Sequence, residues 1–385
     1  MPQPAYAKKT LTWWCVFGVV SVSERVWRTE QKKYVRLLPE AIGVTPRGRS
    51  KRLERVLADF GCEHSFQHAA GRVLEHYGFE INASAVRNAT LQNAGRAEQL
   101  LAEEYQQPFR VLPAVGAPYV VAEADGSMIC TVAPGPRKGK KPRDWKEIRL
   151  TAAQGLGRTD TFYAATFGEV DEVGRRWGHC ARRAGWGLNS DVHALGDGAE
   201  WIRLQTREIF GKQGTFLCDY FHVSEYLAAA VPTCRAQAPE LWRRTQQKRL
   251  KRGAVGKVTD ALSEHLEPPG TPEELAPVRN AHRYVSNRTD CLDYPRALRL
   301  GLPIGSGMIE SGHRHVLQAR LKKAGAAWLM PNADRIANLR VLRAKPQNIP
   351  RLWLWNEGAS QHGQLLRSSQ IPCSLAKSRS YWFMG

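Results

Sequence analysis

The stretch from Tyr119 to His222 constrains the fold more than any other part of the chain, because its apolar period switches repeatedly between strand-like and helix-like. Tyr119-Val-Val-Ala-Glu-Ala-Asp125-Gly126 reads as a strand that ends on an acid and a glycine. A return strand is predicted at Met128–Val132 and a third around Lys146–Thr151, giving an antiparallel meander. Tyr163–Phe167 reads as extended, Glu169–Arg183 as a helix, and Asp191–Leu195 as a strand that runs into Gly196-Asp197-Gly198. Thr215–Cys218 reads as a strand entering Asp219-Tyr-Phe-His222 and a further helix. A meander followed by alternating strands and helices predicts an α/β layer fold.

The flanks differ in period. Leu11–Ser21 and Val26–Leu37 are rich in Trp, Val and Tyr and read as β-strands. From about Ser50 the spacing turns helical through Leu53, Val56, Leu57, Phe60, Ala69, Ala70, Val73, Leu74 and Tyr77, until Gly78 stops it. A second amphipathic stretch begins at Ser84, and Pro108–Pro118 reads as a linker. Helix, glycine turn and helix together have the look of a helix-turn-helix, with Arg87, Asn88 and Gln92 available to bases or phosphates. A helical hairpin that merely packs explains the pattern equally well. Residues 232–300 are polar and helical, divided by a turn at Pro268–Pro272. Residues 1–107 thus form an N-terminal region, 115–345 a central domain with a helical insertion at about 232–300, and 346–385 a loosely structured tail.

Charge narrows the partner. The 56 Lys and Arg residues against 36 Asp and Glu residues give a net charge of +20. A polyanion is the usual counterpart of such an excess, and nucleic acid the commonest. The surplus concentrates in a loop holding Lys138, Lys140 and Lys141, in a stretch holding Arg243, Arg244 and Lys248, and around Arg320, Lys322 and Lys323. Eight dispersed cysteines without a C-x-x-C pair argue against a zinc ribbon or a disulfide framework. The apolar run Trp13–Val22 is too short for a membrane helix, which needs about 20 residues. A cytoplasmic, nucleoid-associated protein with no membrane partner is expected.

Three acids stand where a carboxylate is costly unless used: Asp125 and Asp197 at expected strand ends, and Glu310 on the first turns of a helix after Pro303. Carboxylates converging at a sheet rim repel one another without a cation, and Mg²⁺ takes such oxygen ligands. Two ions about 3.5–4 Å apart can assist an in-line displacement at phosphorus. Singly, each signal has an ordinary explanation: Asp-Gly is usually a turn, and Glu310 with His313 and Arg314 is usually a solvated helix face. Asp219 also follows a strand and competes with Asp197, although glycine and alanine around Asp197 allow closer approach. His222 has metal-like spacing from Asp219, and a buried hydrogen-bonded histidine fits it too.

Four separated motifs carry a family resemblance: Ala-Asp125-Gly; Leu-Gly-Asp197-Gly-Ala-Glu-Trp-Ile202; Cys-Asp219-Tyr-Phe-His222 with Tyr226-Leu; and Pro303-Ile-Gly-Ser-Gly-Met-Ile-Glu310 followed by Arg320-Leu-Lys and Gly325-Ala-Ala-Trp328. In order and character they resemble bacterial insertion-sequence transposases of the ISKra type, which are related to Mutator-like DDE transposases. The resemblance spans roughly residues 115–345. It implies an RNase H-like core, a mixed sheet with flanking helices, carrying Asp125, Asp197 and Glu310 as a metal-binding catalytic triad. Asp219 and His222 then form an accessory motif, beside which Arg314 is a further candidate. Two Mg²⁺ ions, with Mn²⁺ able to substitute, are the implied cofactor. Terminal inverted repeats and target DNA are the implied partners, met by a homo-oligomer on DNA. A non-transposing RNase H-like endonuclease and a catalytically inactive, transposon-derived DNA-binding repressor are the alternatives.

Overall fold

The computed structural model describes residues 7–28, 34–135, 142–234, 238–344 and Leu352. Lys138, Lys140 and Lys141 and nearly all of the expected tail lie outside the described residues.

A three-stranded antiparallel sheet opens the chain: β1 (Ala7–Cys15), β2 (Gly18–Arg28) and β3 (Tyr34–Val35). The Trp13–Val22 run is therefore a hairpin that turns at Val16-Phe17, where Gly18 takes a φ of 98° that side chains rarely adopt. After the short α1 (Leu37–Ala41) come α2 (Lys51–Glu63), α3 (Phe66–Tyr77) and α4 (Ala83–Gln106). The helical stretch expected from Ser50 breaks at Ser65, whose hydroxyl accepts from the His68 amide and caps α3. Gly78 ends α3 in the left-handed region, and the Asn82 side chain caps α4.

The central sheet has the order β6-β5-β4-β7-β8. It comprises β4 (Tyr119–Val132), β5 (Arg143–Gly155), β6 (Thr161–Thr166), β7 (Asp191–Gly196) and β8 (Gly214–Cys218). The first three strands are antiparallel, and β7 and β8 run parallel to β4. Helices α5 (Val170–Arg183) and α6 (Glu200–Phe210) make the crossovers and cover one face, burying Val120, Ala122, Ala124, Val192 and Ala194. The other face carries α7 (Tyr220–Ala230) and the inserted helices α8 (Pro239–Lys251), α9 (Val255–Ser263), α10 (Pro277–Ser286) and α11 (Tyr294–Arg299). A continuous helical run follows: α12 (Gly307–Gly312), a π-turn at His313–Gln318 and α13 (Ala319–Leu321). The last described helix is α14 (Met330–Arg343).

Two expectations change. The Asp125-Gly126 pair does not end a strand, because β4 is one 14-residue strand that runs through it, with Asp125 opposite Leu150 on β5. The return strand is Arg143–Gly155, not Met128–Val132. Gly126 answers a packing need, since an added Cβ would lie 2.2 Å from Glu147 Oε1. Residues on both sides of the expected 107/115 boundary also share one core: Ala94, Ala97, Leu100 and Leu101 of α4 pack with Ile129, Ile148 and Leu150 and with α14. No helix among the described residues is long and apolar enough to cross a membrane.

Candidate active site

Strand β4 is longer than its parallel neighbour, and that mismatch makes a rim. The β4–β7 ladder ends at Glu123↔Leu195. Two residues further along each chain come Asp125, still within β4, and Asp197, in the bend one residue past the end of β7. Period-two alternation along β4 turns Glu123 and Asp125 to one face. That face is the one covered by α7 and α12, and the acids form a polar seam between its two apolar clusters.

Local hydrogen bonds orient both aspartates. Asp125 Oδ1 accepts from the Gly126 amide at 2.8 Å, and Asp197 Oδ1 accepts from the Ala199 amide at 2.8 Å. The turn after β7 is held from the insertion: the Tyr284 hydroxyl donates to the Asp197 carbonyl, and Arg288 Nε donates to the Gly198 carbonyl at 2.9 Å. Gly198 adopts a φ of 83°, and its added Cβ would meet Arg288 at 2.5 Å, so this turn requires glycine. Tyr226 stacks on Tyr284 with ring centroids 4.2 Å apart and supports it from α7.

Glu310 lies on the first turns of α12 with its side chain exposed. Beyond it the helix widens into the π-turn, a distortion frequent at functional sites. His313, 4% exposed, is turned inward there, whereas Arg314 points to solvent. Its Nε2 lies 3.2 Å from Asp125 Oδ2, without the alignment of a hydrogen bond.

Asp219 is not spare for a cation. Its Oδ1 accepts from the Phe221 and His222 amides at 2.6 and 3.3 Å, capping α7. Its Oδ2 accepts from the Ser306 amide at 2.8 Å and from the Ser306 hydroxyl. Four donors occupy the acceptor sites of this carboxylate, whereas Asp197 Oδ1 accepts from Ala199 alone. His222 is half-exposed, with Nδ1 3.4 Å from Glu225, and its ring meets Tyr226 and Tyr284 edge-on.

Sequence reasoning missed Glu123. This acid sits in the middle of β4 at 2% exposure, and its Oε2 accepts from the Ile309 amide at 2.7 Å. Burial pushes its carboxyl up to about 8, against the pull of that amide, and the Asp219 and Glu310 charges push the same way. The detectable signal was an acid inside the apolar run Val-Val-Ala-Glu-Ala.

The basic candidates divide. Asn88 and Gln92 on α4 are exposed and Arg87 is half-buried, with its guanidinium 3.3 Å from Asn88 Oδ1. On α8, Arg243 and Arg244 both pair with Glu240, at 2.7 and 2.8 Å, and Lys248 is exposed. Lys322 is exposed and Lys323 half-exposed. Arg320 is a correction: it is 3% exposed, donates to the Gly61 carbonyl at 2.9 Å, and lies 4.7 Å from both the Phe66 and Trp328 rings. A guanidinium enclosed between two rings is a core strut, not a phosphate contact.

For a divalent ion, the donor set formed by Asp125, Asp197 and Glu310 is oxygen-only, which fits Mg²⁺ or Mn²⁺ and disfavours soft metals. Among the described residues, no three His, Cys, Asp or Glu side chains already stand in coordinating positions. No protein-family profile matches this chain, and no curated protein matches it significantly.

Proposed function

We propose that the protein is a DNA transposase with an RNase H-like core, in which Asp125, Asp197 and Glu310 form the catalytic triad. The observation that carries the reading is the rim of the central sheet: Asp125 on β4 and Asp197 just past the end of the adjacent parallel β7, on the side of a helix bearing an exposed glutamate. The strand order, three antiparallel strands followed by two parallel to the first, is compatible with an RNase H-like core and supports the reading. The family resemblance of the four motifs and the charge of +20 point the same way.

Asp125, Asp197 and Glu310 would hold Mg²⁺. When bound, Mg²⁺ supplies activation of the attacking oxygen and stabilisation of the leaving one. The chain's own residues position and neutralise. Gly126 and Ala199 amides orient the two aspartates, and the buried His313 ring lies 3.2 Å from Asp125 Oδ2. Lys248, Lys322 and the exposed face of α4 offer charge and polar groups to the DNA backbone. In the first step water attacks phosphorus at the element's end and the bond to the 3′ oxygen breaks, leaving a 3′-hydroxyl and a 5′-phosphate. In the second that hydroxyl attacks a phosphodiester of target DNA, joining element to target and releasing a new 3′-hydroxyl. No covalent protein–DNA intermediate is needed. The element ends and the target DNA are the partners, and joining two ends calls for a homo-oligomer.

The test is cleavage and strand transfer on DNA carrying the sequences that flank the gene. Asp125→Asn, Asp197→Asn and Glu310→Gln should each lower cleavage at least about a thousandfold while gel-shift affinity stays within about threefold. Cleavage surviving in all three would refute the triad. Cleavage without joining would favour the endonuclease, and end binding without either would favour the repressor.

A further inference from the structure

The segment that delivers Glu310 is fastened to the sheet almost residue by residue. His193 on β7, 2% exposed, donates from Nε2 to the Pro303 carbonyl at 2.8 Å. The Tyr220 amide donates to the Ile304 carbonyl at 2.9 Å. Gly305 lies flat on Phe221, whose ring would be 2.5 Å from an added Cβ. Ser306 gives both its donors to Asp219, and Ile309 gives its amide to Glu123. Two of these fasteners are carboxyl groups that are almost wholly enclosed, at 2% and 3% exposure.

Enclosing two acids beside a seam that already holds Asp125 is costly, and a protein that needed only packing there would use apolar side chains. Their shared feature is what they grip. Ser306 and Ile309 are amides at the start of α12, where a helix has no internal acceptors to offer. Helix α12 opens a helical run that continues through the π-turn to Leu321, and the contacts of its first turn tie the start of that run to the sheet side. Ile309 immediately precedes Glu310, so the length and direction of the Glu123 side chain fix where the Glu310 backbone sits above β4.

We propose that Glu123 and Asp219 are positioning residues, a pair of buried carboxyl groups that clamp Pro303–Ile309 to the sheet and so set the place of Glu310 relative to Asp125 and Asp197. The clamp itself is a property of the fold, and its catalytic consequence rests on the triad reading above. Glu123 and Asp219 touch no substrate. They act through the backbone of the residue that does.

The test uses the full chain and two readouts. Amide-resolved hydrogen exchange of the wild type should find Ser306 and Ile309 at least about a hundredfold slower than Gly307, although all three lie at the helix start. Both exchanging as fast as Gly307 would overturn the clamp. In Glu123→Ala, exchange across 303–312 should rise at least about tenfold with α5 unchanged. Glu123→Gln, which keeps an acceptor oxygen, should stay within about threefold of wild type. On DNA, Glu123→Ala should lower kcat about a hundredfold with KM within about threefold, and Glu123→Gln should restore most of it. Unchanged exchange in Glu123→Ala, or a glutamine variant as impaired as the alanine one, would refute the proposal. If the wild type cleaves no DNA, the transposase reading falls while the exchange data still decide the clamp.

Discussion

Replacing Glu123 by glutamine should stabilise the protein, and increasingly so as pH rises. Glu123 is enclosed in β4, and burial raises its carboxyl from an ordinary 4.5 to about 8. The folded chain therefore keeps its proton where the unfolded chain has released it. Fewer protons bound in the unfolded state means that wild-type stability falls as pH climbs past 4.5, levelling off above about 8. Each pH unit of that interval is worth about 1.4 kcal/mol, which sets a ceiling near 5 kcal/mol. Relaxation and water entry soften buried charges, so about 2 kcal/mol is the working expectation. Glutamine keeps the oxygen that accepts from Ile309 but cannot ionise, so it escapes the penalty. Urea unfolding of both proteins in chelator-containing buffer from pH 5 to 8 measures the difference. It should be small at pH 5 and grow steadily to about 2 kcal/mol or more at pH 8. A difference that is flat across the range would show that Glu123 titrates normally and would refute the argument from burial.

Other perturbations sort the acids and the basic groups. Asp219→Ala removes acceptors from four donors at once, so it should cost about 3–5 kcal/mol in unfolding free energy, whereas Asp197→Asn should leave the melting curve nearly unchanged and abolish cleavage. Arg320→Ala should cost about 2–4 kcal/mol by emptying the slot between Phe66 and Trp328. Lys322→Ala should leave stability within about 0.5 kcal/mol and lower DNA affinity together with the slope of log K against log salt by about 1. The unfolding curves of the arginine and lysine variants, set beside their salt titrations, check both statements; a surface-like response from Arg320 would contradict its enclosure.

Periodicity made much of the sheet legible. Strands β7 and β8 and helix α5 stand close to where the sequence period puts them, α5 burying one stripe and β7 reading as a short apolar run because both its faces are covered. Asp-Gly usually turns, so the sequence points to a strand end at Asp125. Here the strand continues, and glycine serves the close approach of Glu147 instead. Arg320 is followed closely by Lys322 and Lys323, so local composition alone suggests a basic surface there. Its spacing from Leu317, on the buried side of the helix, carried the opposite signal. Glu123 escaped notice because nothing local reveals a partner 186 residues away in sequence. Only the fold brings Ile309 to it.

A triad of Asp125, Asp197 and Glu310 requires that the three carboxylates share one divalent-ion pocket. Crystals soaked in Mn²⁺ and measured for anomalous scattering test it without any need for the correct DNA. Manganese peaks bounded by these three carboxylates, lost in Asp197→Asn, are the expected result. Manganese bound at other acids while the β4–β7 rim stays empty at saturating concentration would contradict it.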